Sequence, residues 1–189
     1  MDSNADTLNA YWSSQPPFAA SLVLQQLRLW MAQNPWFSDY DQRHWFEVPA
    51  ERLERLQLDY QQEWLALAQQ LLTLRPFDFS DRRFASGNWS EPLFGSLAAF
   101  YLLNSSYLLK LAALLPIDQE KPRKRLDYLL EQTIAASAPS NFLPSNPDAL
   151  QRLAETGGAS LFSGALLRLG DMGEGKLRQC EAGEFEICV

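Results

Sequence analysis

The chain has 189 residues, 47% of them hydrophobic and 12% aromatic, with a formal net charge of −7 and a pI near 4.7. A fold of this size buries roughly 70% of the surface its unfolded chain exposes, so six Trp and eleven Phe have room in one core and disorder over the whole length is disfavoured. The acidic balance repels polyanions and argues against nucleic-acid binding, and no run of eighteen apolar residues is present to cross a membrane.

The N-terminus, MDSNAD, is acidic and polar where a secretory signal is basic and then apolar, so a cytoplasmic location is expected. From Phe18 to Gln33, Phe18, Leu22, Leu24, Leu27, Leu29, Trp30 and Met31 predict a helix with a wide buried face, opened by Pro16 and Pro17 and closed by Asn34 and Pro35. Residues 36–49 are aromatic, charged and without a period, and read as an ordered loop or short helical turns. Ala50 to Leu74 is the clearest helix. Its stripe of Leu53, Leu56, Tyr60, Trp64, Leu67, Leu71 and Leu74 alternates spacings of three and four, which puts all seven on one face. Leu58, Leu65 and Leu72 form a second row beside it, so the stripe is wider than a two-stranded seam. Two readings stand for it: the domain's own core, or a contact with a partner.

Arg75 to Glu91 holds Pro76, Gly87 and Asn88 without a sustained period and reads as a connecting loop. Pro92 to Leu115 predicts a helix apolar on most sides, marked by the polar positions Tyr101, Asn104, Ser105 and Tyr107. After Pro116, an N-cap at Asp118 and a first-turn Pro122 open the next helix, with Leu126, Leu129, Leu130, Thr133 and Ile134 on its face and Pro139 beyond its end. The basic run Lys121, Arg123, Lys124 and Arg125 reads as its solvated side. Asn146 as cap, Pro147 at the first helical position and Asp148 in the first turn mark another start. That helix carries Leu150, Leu153, Leu161 and Leu166, with a kink, a break or a close backbone contact expected at Gly157 and Gly158. Beyond Gly170 the chain becomes Gly-rich, and Glu184 to Val189 alternates as a short strand. The fold class expected is mainly α, a helical domain with one short C-terminal strand.

Little in the sequence supports catalysis. A nucleophile elbow needs small residues two positions either side of Ser or Cys, because its strand-to-helix turn leaves no room for side chains. Cys180, in RQCEA, and Cys188, in EICV, lack them, and both read as reduced, incidental thiols. His44 is the single histidine, lies between Arg43 and Trp45, and has no nucleophile near it in sequence. Gly170 to Lys176, GDMGEGK, has the glycine and lysine spacing of a phosphate loop, but Leu177 replaces the Ser or Thr that ligates magnesium and a helix precedes it where a strand should. No zinc-ligand spacing occurs. No catalytic, cofactor-binding or metal-binding residue is therefore assigned, and no cofactor is expected.

Four separated segments carry a resemblance. Asp81, Arg82, Arg83, Phe84, Ala85 and Trp89 are followed by Tyr101, Leu102, Ser105 and Tyr107, then by Pro139, Ser140, Asn141, Phe142, Asn146 and Pro147, and last by Glu155, Thr156, Gly157 and Gly158. In this order and spacing they resemble the N-terminal domain of polyhydroxyalkanoate synthases, over roughly Phe79 to Ile187. The resemblance implies a cytoplasmic acyltransferase of polyhydroxybutyrate biosynthesis whose Cys, Asp and His triad lies in an α/β-hydrolase-type domain outside this chain. It implies a non-catalytic role here: dimerisation, stability or granule association of the synthase. Partners implied are the synthase catalytic domain in cis, synthase subunits in trans, and the polyester granule or a granule-associated protein. The alternative is a stand-alone, phasin-like or regulatory protein that binds synthase or granule. On this reading residues 1–78 form a variable helical arm, 79–170 the family-like helical domain, and 171–189 a connector and short strand toward the catalytic domain. The chain reads as a fragment, a truncated frame or a stand-alone relative.

Overall fold

The structure, a computed structural model, describes residues 19–73 and 75–174. Six α-helices account for most of them: α1 (Ala20–Gln33), α2 (Ala50–Leu72), α3 (Pro92–Ala113), α4 (Glu120–Ala136), α5 (Pro147–Glu155) and α6 (Ala159–Glu174). Short 3-10 turns at Pro35–Phe37, Arg82–Phe84, Gly87–Ser90, Pro139–Asn141 and Leu143–Ser145 carry the connections. The fold is mainly α, as the periodicity predicts. Phe18, Leu74, the expected strand Glu184–Val189 and both cysteines lie outside the described residues.

Helix α3 is the centre of the packing. Its apolar residues point in every direction, so it needs cover on every side. One side meets α2 and α1: Leu103, Tyr107 and Leu111 form a cluster with Leu56, Tyr60 and Ala20, with Leu53, Trp64 and Leu67 packed against it. A second meets α4 and the aromatic loop, where Ala112, Leu115 and Ile117 join Leu27, Met31, Phe37, Trp45, Leu126 and Leu130. A third, at the start of α3, buries Phe84, Trp89 and Ala98.

Much of the α2 stripe packs into the domain's own core. Leu56 and Tyr60 are buried, and Leu53, Trp64, Leu67 and Leu71 are half-buried. Leu58 and Leu72, from the second row, are the ones left to solvent. Side chains of α1 and α2 pack with those of α3 in the same clusters.

Most polar groups along these seams are paired at the edges of the apolar contacts, the buried Gln57 Nε2 being an exception. The Tyr60 hydroxyl donates to Asn104 Oδ1 at 3.2 Å and the Tyr107 hydroxyl to Glu63 Oε1 at 3.0 Å, while the two rings meet edge to face with centroids 5.0 Å apart. Burial, and then the Glu63 acceptor, push the Tyr107 phenol well above its ordinary range, so it stays protonated and donating. Gln57 Oε1 of α2 accepts from the Ala20 amide at 2.9 Å, which satisfies a donor at the first turn of α1.

The start of α4 departs from expectation. Gln119, not Asp118, holds the extended cap position, and no side chain caps the helix. The burial of Ile117 fixes the chain's approach, so the helix begins one residue later than the acidic cap would set it. Pro122 does sit in the first turn, and it is fully buried. The basic run is only partly a solvated face: Arg123 donates to the Ala112 carbonyl at 2.9 Å and Arg125 to the Trp36 carbonyl at 2.6 Å. Arg123 thereby adds a side-chain donor to a carbonyl in the last turn of α3 that also accepts from the Leu115 amide, at a helix end where a cation is favoured by the dipole.

Leu56→Ala in α2 and Leu111→Ala in α3 are each expected to cost about 2–5 kcal/mol. In urea both variants should show one transition with an unchanged slope. A separate, early transition in Leu56→Ala would mean that the N-terminal helices fold independently of α3.

Candidate functional site

Parts of the first three segments converge where the 81–90 loop crosses the first half of α3 and meets the end of α4 and the start of α5, and the fourth lies at the far end of α5. Asp81 caps its own 3-10 turn: its Oδ1 accepts from the Arg83 amide at 2.9 Å and its Oδ2 from the Arg83 guanidinium at 2.7 Å. The guanidinium also donates to the Tyr101 hydroxyl at 2.8 Å, and that hydroxyl donates onward to the Ile134 carbonyl at 2.7 Å. One chain of hydrogen bonds therefore runs from the loop through α3 to the last turn of α4. Of the two arginines it is Arg83 that pairs with Asp81, and Arg82 is exposed.

The Arg83 guanidinium carbon also lies 5.2 Å from the Tyr101 ring centroid and 5.6 Å from that of Phe84. Its hydrogen bonds hold the Asp81 carboxyl below the usual range against a partial desolvation that opposes them.

Beneath this polar layer lies an aromatic one. Phe84 packs edge to face on Trp89 with centroids 4.7 Å apart, and also contacts Phe79 and Tyr101. Phe77 stacks on Phe79 at 5.8 Å, and Phe94 closes the far side of Trp89. Trp89 has no solvent exposure, and its Nε1 has no hydrogen-bond partner. Such a group costs about 1–3 kcal/mol, which the surrounding ring burial has to exceed. Gly95 makes the approach possible. A Cβ there would lie 2.5 Å from Phe77 Cδ2 and 2.8 Å from the Trp89 carbonyl oxygen.

The third segment braces α5. Asn146 caps it as expected, accepting from the Asp148 and Ala149 amides at 3.0 and 3.1 Å, while its Nδ2 donates to the Ser140 carbonyl at 2.6 Å. Asn141 Nδ2 donates to the Ala135 and Ala136 carbonyls, closing the end of α4, and Pro147 is buried. Asp148 does more than sit in a first turn. Its Oδ1 accepts from Ser86 Oγ at 2.6 Å and Asn88 Nδ2 at 2.7 Å, and Asn88 also donates to Gln151 Oε1 at 2.6 Å, so α5 is tied to the 81–90 loop. Sequence reasoning missed Ser86, Asn88, Gln151 and Gly95. A glycine inside a strongly apolar helix was the one available signal.

The remaining motif residues fall around this unit. Ser105 is half-buried on α3, Phe142 is exposed, and Tyr107 belongs to the α2 seam. Glu155 accepts from Gln151 at 2.8 Å, and Thr156 ends α5 with its hydroxyl on the Arg152 carbonyl. Gly157 and Gly158 adopt φ of 56° and 88°, so the pair is a break between two helices. Helix α6 continues to Glu174, so the first five residues of the phosphate-loop pattern, Gly170 to Glu174, fall on a helix.

His44 is exposed and lies 2.9 Å from Glu47. Among the described residues, no group of three or more His, Cys, Asp or Glu is placed to hold a metal, and no helix is long and apolar enough to cross a membrane. What converges at the motif segments is a set of braces: carboxylates bound to donors, a phenol bridging two helices, and an aromatic stack. It defines a helical scaffold.

The kind of scaffold follows from comparison with known proteins. Residues 80–189 match the family described as the poly-beta-hydroxybutyrate polymerase (PhaC) N-terminus. The chain is 36% identical over 135 residues to the poly(3-hydroxyalkanoate) polymerase subunit PhaC of Cupriavidus necator, covering 71% of this chain and 23% of that one. It is 33% identical over 111 residues to the poly(3-hydroxyalkanoate) polymerase of Methylorubrum extorquens, covering 56% of this chain and 18% of that one. A PhaC subunit of Rhizobium etli is 28% identical over 112 residues, 57% of this chain and 18% of that one. No solved structure matches. The chain belongs to the polyhydroxybutyrate polymerase N-terminal family, and it spans less than a quarter of the length of these curated relatives.

Three substitutions test the braces. Asn146→Ala should lower stability by about 1 kcal/mol or somewhat more, since it loses a cap and a turn contact together. Gly95→Ala should cost about 1–3 kcal/mol through overpacking, and a neutral result would show that Phe77 can move aside. For Asp81→Asn the loss should depend on pH. The folded pKa is depressed, so the carboxylate's contribution is complete above its unfolded value of about 3.9 and disappears as pH falls through the folded one. Denaturation of both proteins from pH 7 to 3 should give a stability gap that is flat down to about pH 5 and closes below it.

Proposed function

We propose that this chain serves as the non-catalytic N-terminal part of a polyhydroxyalkanoate synthase, where it supports subunit dimerisation, stability or granule attachment. The observation that carries this reading is the distribution of apolar surface. The interior of the domain is closed by aromatic stacks and polar groups most of which are paired, yet a long row of large apolar side chains is exposed toward the C-terminal end. Exposed apolar patches of this kind mark contacts with another surface. A polymerase whose product is an apolar, insoluble polyester needs such contacts, between its own parts or with the growing granule. Membership of the polymerase N-terminal family supplies the context, with the cytoplasmic granule surface as the proposed location.

With 3-hydroxybutyryl-CoA, the chain alone should release no CoA above the uncatalysed rate. Fused to a fluorescent protein in polyester-accumulating cells, it should concentrate at granules or co-purify with synthase. Robust turnover would overturn the non-catalytic assignment, and diffuse fluorescence without synthase in the eluate would overturn the assembly role.

A further inference from the structure

Helix α6 has the sequence of a core helix and no core. With about 100° between successive residues, Leu161, Phe162, Ala165, Leu166, Leu169 and Met172 fall within an arc of about 140°. This is the width of face by which a globular helix is normally buried, and apart from Leu167, also exposed, small or polar residues occupy the opposite side. Yet Phe162 is 68% exposed, Leu169 64% and Met172 70%. The body of the domain reaches α6 chiefly through α5, across the break at Gly157 and Gly158.

Three kinds of cover differ in what they require. A helix that lies in an anionic lipid interface carries lysines and arginines on its polar side, whereas α6 has one basic residue, Arg168, and two acids, Asp171 and Glu174. A symmetric pair of helices buries a narrow seam, and an arc of about 140° would stay partly wet in such a pair. A folded body that offers more than one element matches the width.

Position points to the same cover. The family match runs past α6 to residue 189, and that family is described as the polymerase N-terminus. In the relatives, more than three quarters of the polypeptide lies outside the matched region. Residues 175–189 could span at most about 50 Å, so a body joined after them would face α6 at an effective concentration near the millimolar range. No second copy reaches that without assembly.

We infer that α6 docks through the face of Leu161, Phe162, Leu166, Leu169 and Met172 onto the polymerase body that follows this region in the relatives. This makes α6 the seam between the N-terminal domain and the rest of the enzyme. The inference rests on the assembly role proposed above and names the surface that would serve it.

Amide hydrogen exchange tests it in two arrangements. In the first, the chain is mixed with Cupriavidus necator polymerase that lacks the region matched by this chain. In the second, residues 1–189 replace that region in one polypeptide. Exchange across residues 159–174 should slow at least tenfold in one or both arrangements, with α2 unchanged, and Phe162→Glu with Leu166→Glu should restore the rate of the isolated chain. Both positions are exposed, so α1 to α4 should keep their own protection in the double variant. If α6 exchanges as in the isolated chain in both arrangements, the inference is overturned. Slowing with rising concentration of the chain alone assigns the face to a second copy, and slowing only on polyester granules or lipid vesicles assigns it to that surface; either outcome overturns the docking. Polymerase binding with an unprotected α6 would sink the seam alone, whereas no binding to polymerase or granule would sink the assembly role as well.

Discussion

A helix that is apolar on nearly all sides leaves a small domain few choices, because whatever else folds must be spent covering it. Helix α3 is that helix. Its middle faces α1 and α2, its C-terminal end faces α4 and the aromatic loop, and its N-terminal end is wrapped by the 81–90 segment. The N-terminal helices, which precede the family-matched region, are required by the same constraint. Without Leu56 and Tyr60, the side chains of Leu103, Tyr107 and Leu111 would face water, at about 1.5–3 kcal/mol for each large apolar group.

The polar groups then decide geometry more than stability. Apolar burial is non-directional and would tolerate sliding between α3 and its neighbours. The hydrogen bonds at the seams do not. Tyr101 reaches the Ile134 carbonyl only if α3 and α4 keep their relative position, and Arg83 can then hold the 81–90 loop to Tyr101. Asp148 repeats the device on the other side, where Ser86 and Asn88 tie the same loop to α5. The 81–90 loop is therefore a clasp between helices distant in sequence. This gives a structural reason for its density of aromatic and charged residues without requiring any of them to do chemistry.

What was legible in the sequence were features with a local cause. The 3.6-residue period placed α2 and α3 almost to the residue, and Asn146 with Pro147 marked the start of α5 because a cap and its amides lie within one turn. Gly157 and Gly158 announced a disruption, although only coordinates distinguish a break from a kink. Less legible were features set by partners far along the chain. Asp118 looks like a cap, but the burial of Ile117 moves the helix start; Arg123 and Arg125 look solvated, but two carbonyls lie within reach. The α2 stripe illustrates the limit best. Periodicity specifies that a face is buried and says nothing about whether the cover comes from the same chain or another.

That ambiguity reappears at α6 with the opposite outcome. By pattern, α2 and α6 are the same kind of helix, each with an apolar face of ordinary width and a more polar back. The difference lies in what surrounds them: α2 meets α3 and α1, while α6 extends from α5 with its apolar side chains exposed. Sequence pattern records the demand for burial and the fold records the supply, so a helix where the two disagree locates a surface whose cover lies elsewhere. At α6 that disagreement is the physical basis of the docking proposed above.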